Sequence, residues 1–150
     1  MSKGRETTVD DASLADLREA LLQGHVTSAD LTRAYVGRIE AYDRGGPALN
    51  SVRLINPDAM AIAASLGTEK PSASRPLAGL PILLKDNIAT GDRMSTTAGS
   101  LALSNVRAAR DAHVAAQLRA AGAVIIGKTN LSEWANMRST HSVSGWSARG

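Results

Sequence analysis

The sequence predicts an α/β fold, and three observations carry that reading. Two stretches, Ser13-x-x-Asp16 and Thr27-x-x-Asp30, have the form of capping boxes placed ahead of apolar residues at helical spacing. Two short apolar runs, Leu80–Leu84 and Ala123–Ile126, have the length and character of buried strands. A helical pattern lies between those runs, as in a strand-helix-strand unit.

Taken in order, the first helix is expected over Ala12–Leu22, with Leu14, Leu17 and Leu21 on one face and Gly24 as its stop. The second runs over Ser28–Tyr42, with Leu31, Tyr35, Ile39 and Tyr42 on one stripe. The segment 43–47 is a glycine-rich turn. Ser51–Ile55 alternates weakly and suits a strand. Asn56-Pro57 starts a helix over Pro57–Leu66, and Gly67 stops it. After a polar linker at 68–75 comes the apolar strand. Asp111 is placed to cap a helix over Ala112–Ala121 that turns Val114, Ala115, Leu118 and Ala121 to one side. Gly122 ends it, and Ala123-Val124-Ile125-Ile126 is apolar throughout, as a strand covered on both faces is. If the two apolar strands run parallel, the crossover between them is right-handed.

With 150 residues the chain has the size of one ordinary domain. Hydrophobic residues make up 43 %, but there is no Phe, so Leu, Ile, Val and Ala must build the core. The net charge of +3 comes from interspersed charges without a basic run or interleaved aromatics, which argues against nucleic-acid binding. The absence of Cys excludes disulfides, a cysteine nucleophile and cysteine-ligated metal. No apolar stretch approaches membrane-spanning length and the first residues form no apolar leader. A cytoplasmic location is the default, or a periplasmic one if a signal peptide precedes this start. No membrane partner is expected, and the oligomeric state is open.

Among the four lysines, Lys3, Lys70, Lys85 and Lys128, the first candidate for chemistry is Lys85. It ends the run Gly79-Leu80-Pro81-Ile82-Leu83-Leu84 and leads into a polar turn. Burying an ammonium is costly unless it is paired or loses its proton, and an unprotonated lysine can act as a general base. The alternative is a lysine that leaves the sheet with its ammonium in water. Residues 122–129 match the phosphate-loop pattern G-x-x-x-x-G-K-S/T, but the context is inverted. A helix precedes Gly122 and the middle residues are themselves strand-like, so the stretch reads as helix stop, buried strand and strand exit. His25, His113 and His141 are isolated and read as solvated. Ser95-Thr96-Thr97 and Ser139, Ser142, Ser144 and Ser147 are hydroxyl-rich loops. Trp134 and Trp146 suit either a core or a pocket wall.

Linked motifs then point further. The segment 76–88, PLAGLPILLKDNI, is followed by Ser95-Thr96-Thr97-Ala98-Gly99-Ser100, by Asp111 with its helix, and by AGAVIIGKTNLSEWAN at 121–136. In that order they resemble the amidase signature family of serine hydrolases, and the stretches 131–136 and 144–150 look most like its peptide-amidase branch. The core is also similar to the A subunit of tRNA-dependent amidotransferases. The resemblance implies the N-terminal part of that family's fold, a mixed sheet flanked by helices, with a helical portion at 1–50 and the strand-helix-strand portion at 76–136. It implies amide C–N hydrolysis by a Ser–cis-Ser–Lys triad, a small amide as substrate, and no cofactor or metal. Lys85 falls on the family's catalytic lysine, and Trp134 is the second candidate, as lining of the substrate site. The family's serine- and glycine-rich segment, which carries both serines and the oxyanion donors, is expected after a Ser-Ala-Arg-Gly stretch such as 147–150. No Gly-Ser-Ser-Gly run occurs in the 150 residues. The expectation is therefore an amidase N-terminal portion that does not hydrolyse amides unaided, the alternative being a non-catalytic fragment.

Overall fold

The computed structural model describes residues 9–137 and 141; Trp146 and the serines at 139, 142, 144 and 147 lie outside them. The described residues form four α-helices and three strands, in the order α1 (Leu14–Gln23), α2 (Ser28–Arg38), β1 (Val52–Ile55), α3 (Ala59–Ser65), β2 (Pro81–Lys85), α4 (His113–Ala120) and β3 (Val124–Thr129). The sheet order is β1-β3-β2, with β3 in the middle, antiparallel to β1 and parallel to β2. It is a mixed sheet flanked by helices, as the family resemblance implies.

Both capping boxes form. Ser13 and Asp16 exchange side-chain and backbone bonds at the start of α1, and Thr27 and Asp30 do the same for α2. Each pair satisfies amides that the first turn leaves without a partner. Gly24 closes α1 in the left-handed region, at φ 72°.

The second helix departs from expectation. Its α-helical part ends at Arg38, and the chain continues as a π-helical segment over Ile39–Arg44. The wider turn rotates Tyr42 off the apolar stripe; it is 55 % exposed, with the Arg38 guanidinium 5.6 Å from its ring centre. The same segment turns Asp43 inward. Its carboxylate accepts from Ser51 N at 2.7 Å, Ser51 Oγ at 2.5 Å and Val52 N at 2.9 Å, and so anchors the start of β1. Leu14 and Val114, expected on core faces, are also exposed. Leu17 and Leu21 carry the α1 contact, and Ala115 that of α4.

Two predicted caps act differently. Asn56 does not sit at the cap position of α3, which is Asp58; its Oδ1 accepts from Asp58 N at 3.0 Å and its amide donates to Ile125 O at 2.8 Å. Asp111 does not cap α4. One of its oxygens accepts from Gly91 N at 2.7 Å and the other from Arg119 Nε at 3.0 Å, pinning the loop after β2 to the helix.

Two apolar clusters cover the sheet. One joins Val124 and Ile126 to Ile39, Ala59 and Ala63; the other joins Ile125 and Leu84 to Met94 and Ala115. The register changes near Ile126: Ile82 pairs with Ile125, but Leu83 pairs with Gly127. One extra residue in a strand moves everything after it to the other face. Lys128 is thereby set opposite Leu84 and Leu54, both of the cluster that contains Ala115.

Candidate active site at the carboxyl end of the sheet

In open sheets with parallel strands, ligands bind outside the carboxyl ends of those strands. Here the parallel pair is β2 and β3, and their exits run into 85–88 and 130–136. Backbone bonds join these exits to the loop between them. Asp86 N donates to Thr129 O at 3.0 Å, Ala98 N to Asp86 O at 3.1 Å, and Trp134 N to Ala98 O at 2.8 Å. Lys85, the Ser95–Ser100 loop and Trp134, separated in sequence, thus meet at one end of the sheet.

The close contact of these segments depends on Gly99. It sits at φ 78°, and a Cβ there would come within 2.9 Å of the carbonyl oxygens of both Leu131 and Ser132. A short turn over Glu133–Asn136 follows, in which Trp134, Ala135 and Asn136 are all left-handed, with φ of 50°, 56° and 57°. Such backbone is costly for side-chain-bearing residues. It presents Trp134 at the surface of the described residues, 54 % exposed.

The two lysines of the sheet have opposite fates. Lys85 is exposed, and no described residue gives its ammonium a hydrogen bond or ion pair. Lys128, which sequence reasoning treats as a strand exit, is fully buried. Its Nζ donates to Ile88 O at 2.6 Å and to Thr96 Oγ1 at 3.0 Å. Burial pushes its pKa down, against the attraction of Asp86 and Asp92 that holds the proton on. Gly127 beside it cannot carry a side chain, because a Cβ would lie 2.4 Å from Leu54 O. The phosphate-loop lookalike is therefore a packed strand, with its lysine spent inside the protein.

Acidic partners surround the buried ammonium. Asp86 is fully buried and ion-paired with Arg53, whose Nε lies 2.5 Å from Oδ2. Asp92 pairs with Arg119 at 2.5 Å, and Arg119 also reaches Asp111. Three cations and three carboxylates thus tie β1, β3, α4 and the loop after β2 together. Among the described residues no group of three or more His, Asp or Glu is disposed to hold a metal ion, and His25 and His113 are exposed.

Comparison with known proteins decides the family. The sequence model of the family described as Amidase matches residues 30–146. The chain belongs to the amidase family. A putative amidase of Schizosaccharomyces pombe is 43 % identical over 152 residues, covering all of this amidase chain and 26 % of the relative. The crystal structure of the peptide amidase of Stenotrophomonas maltophilia is 48 % identical with a TM-score of 0.83, covering 97 % of this chain and 30 % of that one. The A subunit of the glutamyl-tRNA(Gln) amidotransferase of Rhodospirillum rubrum is 37 % identical over 131 residues, covering 86 % of this chain and 25 % of that protein. The chain thus spans between a quarter and a third of the length of these relatives, and its likeness to the peptide-amidase branch extends over almost all its residues. Among the described residues no helix is long and apolar enough to cross a membrane.

Proposed function

We propose that these residues supply the base of an amide hydrolase, and that Lys85 is that base. The observation that carries the reading is the contrast between the two sheet lysines. Lys128 is buried and held by two acceptors, whereas Lys85 stands exposed at the carboxyl end of β2, beside the hydroxyl-bearing loop. Of the two, only Lys85 is free to meet a reacting group.

In this reading Lys85 takes a proton through a bridging serine from the nucleophilic serine, which attacks the amide carbonyl. The C–N bond breaks as the proton is returned to the leaving nitrogen. Water then attacks the acyl-enzyme, giving the carboxylate and restoring the serine. The two serines and the oxyanion donors come from outside the 150 residues. Trp134, exposed at the same end, lines the substrate site.

A peptide amide is the substrate class favoured by the likeness to peptide amidases, at 48–50 % identity. The alternative, a tRNA-dependent amidotransferase, rests on relatives at 36–40 %. The test is a fusion of residues 1–150 to the remainder of the Stenotrophomonas maltophilia peptide amidase. The fusion should release ammonia from a peptide amide. A folded fusion with no turnover would set the reading aside.

A further inference from the structure

Asp86 follows directly on the exposed Lys85, and its carboxylate is fully buried. A buried carboxylate is costly unless it is paired and hydrogen-bonded. Here both oxygens are engaged. Arg53 Nη2 lies 3.2 Å from Oδ1, Arg53 Nε lies 2.5 Å from Oδ2, and Thr97 Oγ1 donates to Oδ2. The same guanidinium continues to Ser95, donating to its carbonyl and hydroxyl oxygens at 3.0 Å each. Thr97 Oγ1 also accepts from Gly99 N at 3.1 Å. With the backbone bonds to Thr129 and Ala98, the residue after Lys85 is tied to β1, to β3 and to the hydroxyl loop. An ordinary strand exit needs only its ladder bonds. This one spends a buried ion pair and a buried hydroxyl on fixing a single peptide relative to one loop.

We propose that Asp86, locked by Arg53 and Thr97, is a positioning residue that fixes Lys85 against the Ser95–Gly99 loop. This rests on the reading of Lys85 as the base. Lys128 adds a second tie between the same two segments, through Ile88 and Thr96. Displacing a catalytic group by about 1 Å costs on the order of 100-fold in rate, so a device that holds the lysine peptide is felt in kcat.

Thr97→Val removes the hydroxyl at nearly constant shape, and Thr97→Ser keeps it. In the fusion enzyme, Thr97→Val should lower kcat about 10- to 100-fold with KM changed by less than about threefold. Thr97→Ser should stay within about threefold of the parent in both. Three results would each overturn the proposal: an unchanged kcat in Thr97→Val, an equal loss in Val and Ser, or a raised KM at constant kcat. Lys85→Ala runs alongside. Turnover surviving in Lys85→Ala would refute the base reading itself, and with it the proposal. An inactive Lys85→Ala beside a normal Thr97→Val would refute the positioning alone. Amide exchange in the 150-residue chain gives a readout that needs no activity. The Ala98 N–H should exchange at least about tenfold faster in Thr97→Val than in Thr97→Ser, through local opening of the loop, and equal rates would contradict the proposal.

Discussion

Lys128 donates to the carbonyl oxygen of Ile88 at 2.6 Å, forty residues away in the chain. This bond and its companion to Thr96 Oγ1 place a buried ammonium beneath the polar turn that follows β2. Its loss would leave the Ile88 carbonyl without its donor and remove a countercharge from Asp86 and Asp92.

Lys128→Met should therefore destabilise the protein by about 2–3 kcal/mol near pH 7, the cost of a buried acceptor left unmet. Replacing a buried ion by an apolar side chain can be neutral when its partners go too, but here they stay. The difference should also depend on pH. Burial lowers the lysine's pKa in the folded state, so in the window between that value and the ordinary one of about 10.4 the unfolded chain binds more protons. Stability of the parent relative to Lys128→Met should thus rise with pH through that window, as read by urea unfolding at a series of alkaline pH values. A difference that falls as pH rises would contradict this.

Asp43 carries the start of β1. Burial raises its pKa, but the hydrogen bonds from Ser51 and Val52 outweigh that and leave it lowered. A lowered carboxylate contributes stability above its unfolded pKa and loses it as pH falls through the folded value. Asp43→Ala should cost about 3 kcal/mol at neutral pH through lost bonds to a charged acceptor. The gap between parent and variant should hold down to about pH 4 and narrow below it. Equal unfolding midpoints at pH 7 would show that the Asp43 bonds contribute nothing.

Gly127→Ala asks whether the phosphate-loop lookalike is packed strand or open loop. With Leu54 O 2.4 Å from the added carbon, the variant should lose about 3 kcal/mol or more. A phosphate-binding loop would instead show nucleotide binding in the parent. Nucleotide-dependent stabilisation of the parent in a thermal-shift titration would contradict the packed-strand account.

The 150-residue chain alone should show no hydrolysis of simple peptide or aryl amides above buffer. A serine–lysine system needs a nucleophile and oxyanion donors besides its base. Saturable turnover that disappears in Lys85→Ala would place a nucleophilic serine within these residues.

Local chemistry was legible in the sequence wherever one residue acts on its near neighbours. Ser13 with Asp16, Thr27 with Asp30, and Gly24 announce themselves by spacing, and the structure forms all of them. The strand at Ala123–Ile126 was legible too, but its continuation to Thr129 was not. Burial of Lys128 depends on one extra residue near Ile126, and that register change is set by pairing with β2. The only warning was a lysine placed directly after an apolar run and a glycine. Tyr42 and Asp43 escaped for a related reason, since a π-helical turn shifts their phase by tertiary demand. The Arg53–Asp86–Thr97 lock joins residues 33 and 11 positions apart, a distance at which spacing carries no signal.

The most direct measurement is the turnover of the fusion enzyme with Lys85→Ala. Because Lys85 is exposed and holds no described partner, the substitution should leave the unfolding midpoint where it was. Ammonia release from a peptide amide should fall by a factor on the order of 10³ to 10⁴, as loss of the base in a serine hydrolase does. Turnover within about tenfold of the parent, in a variant that is equally stable, would show that Lys85 is not the base.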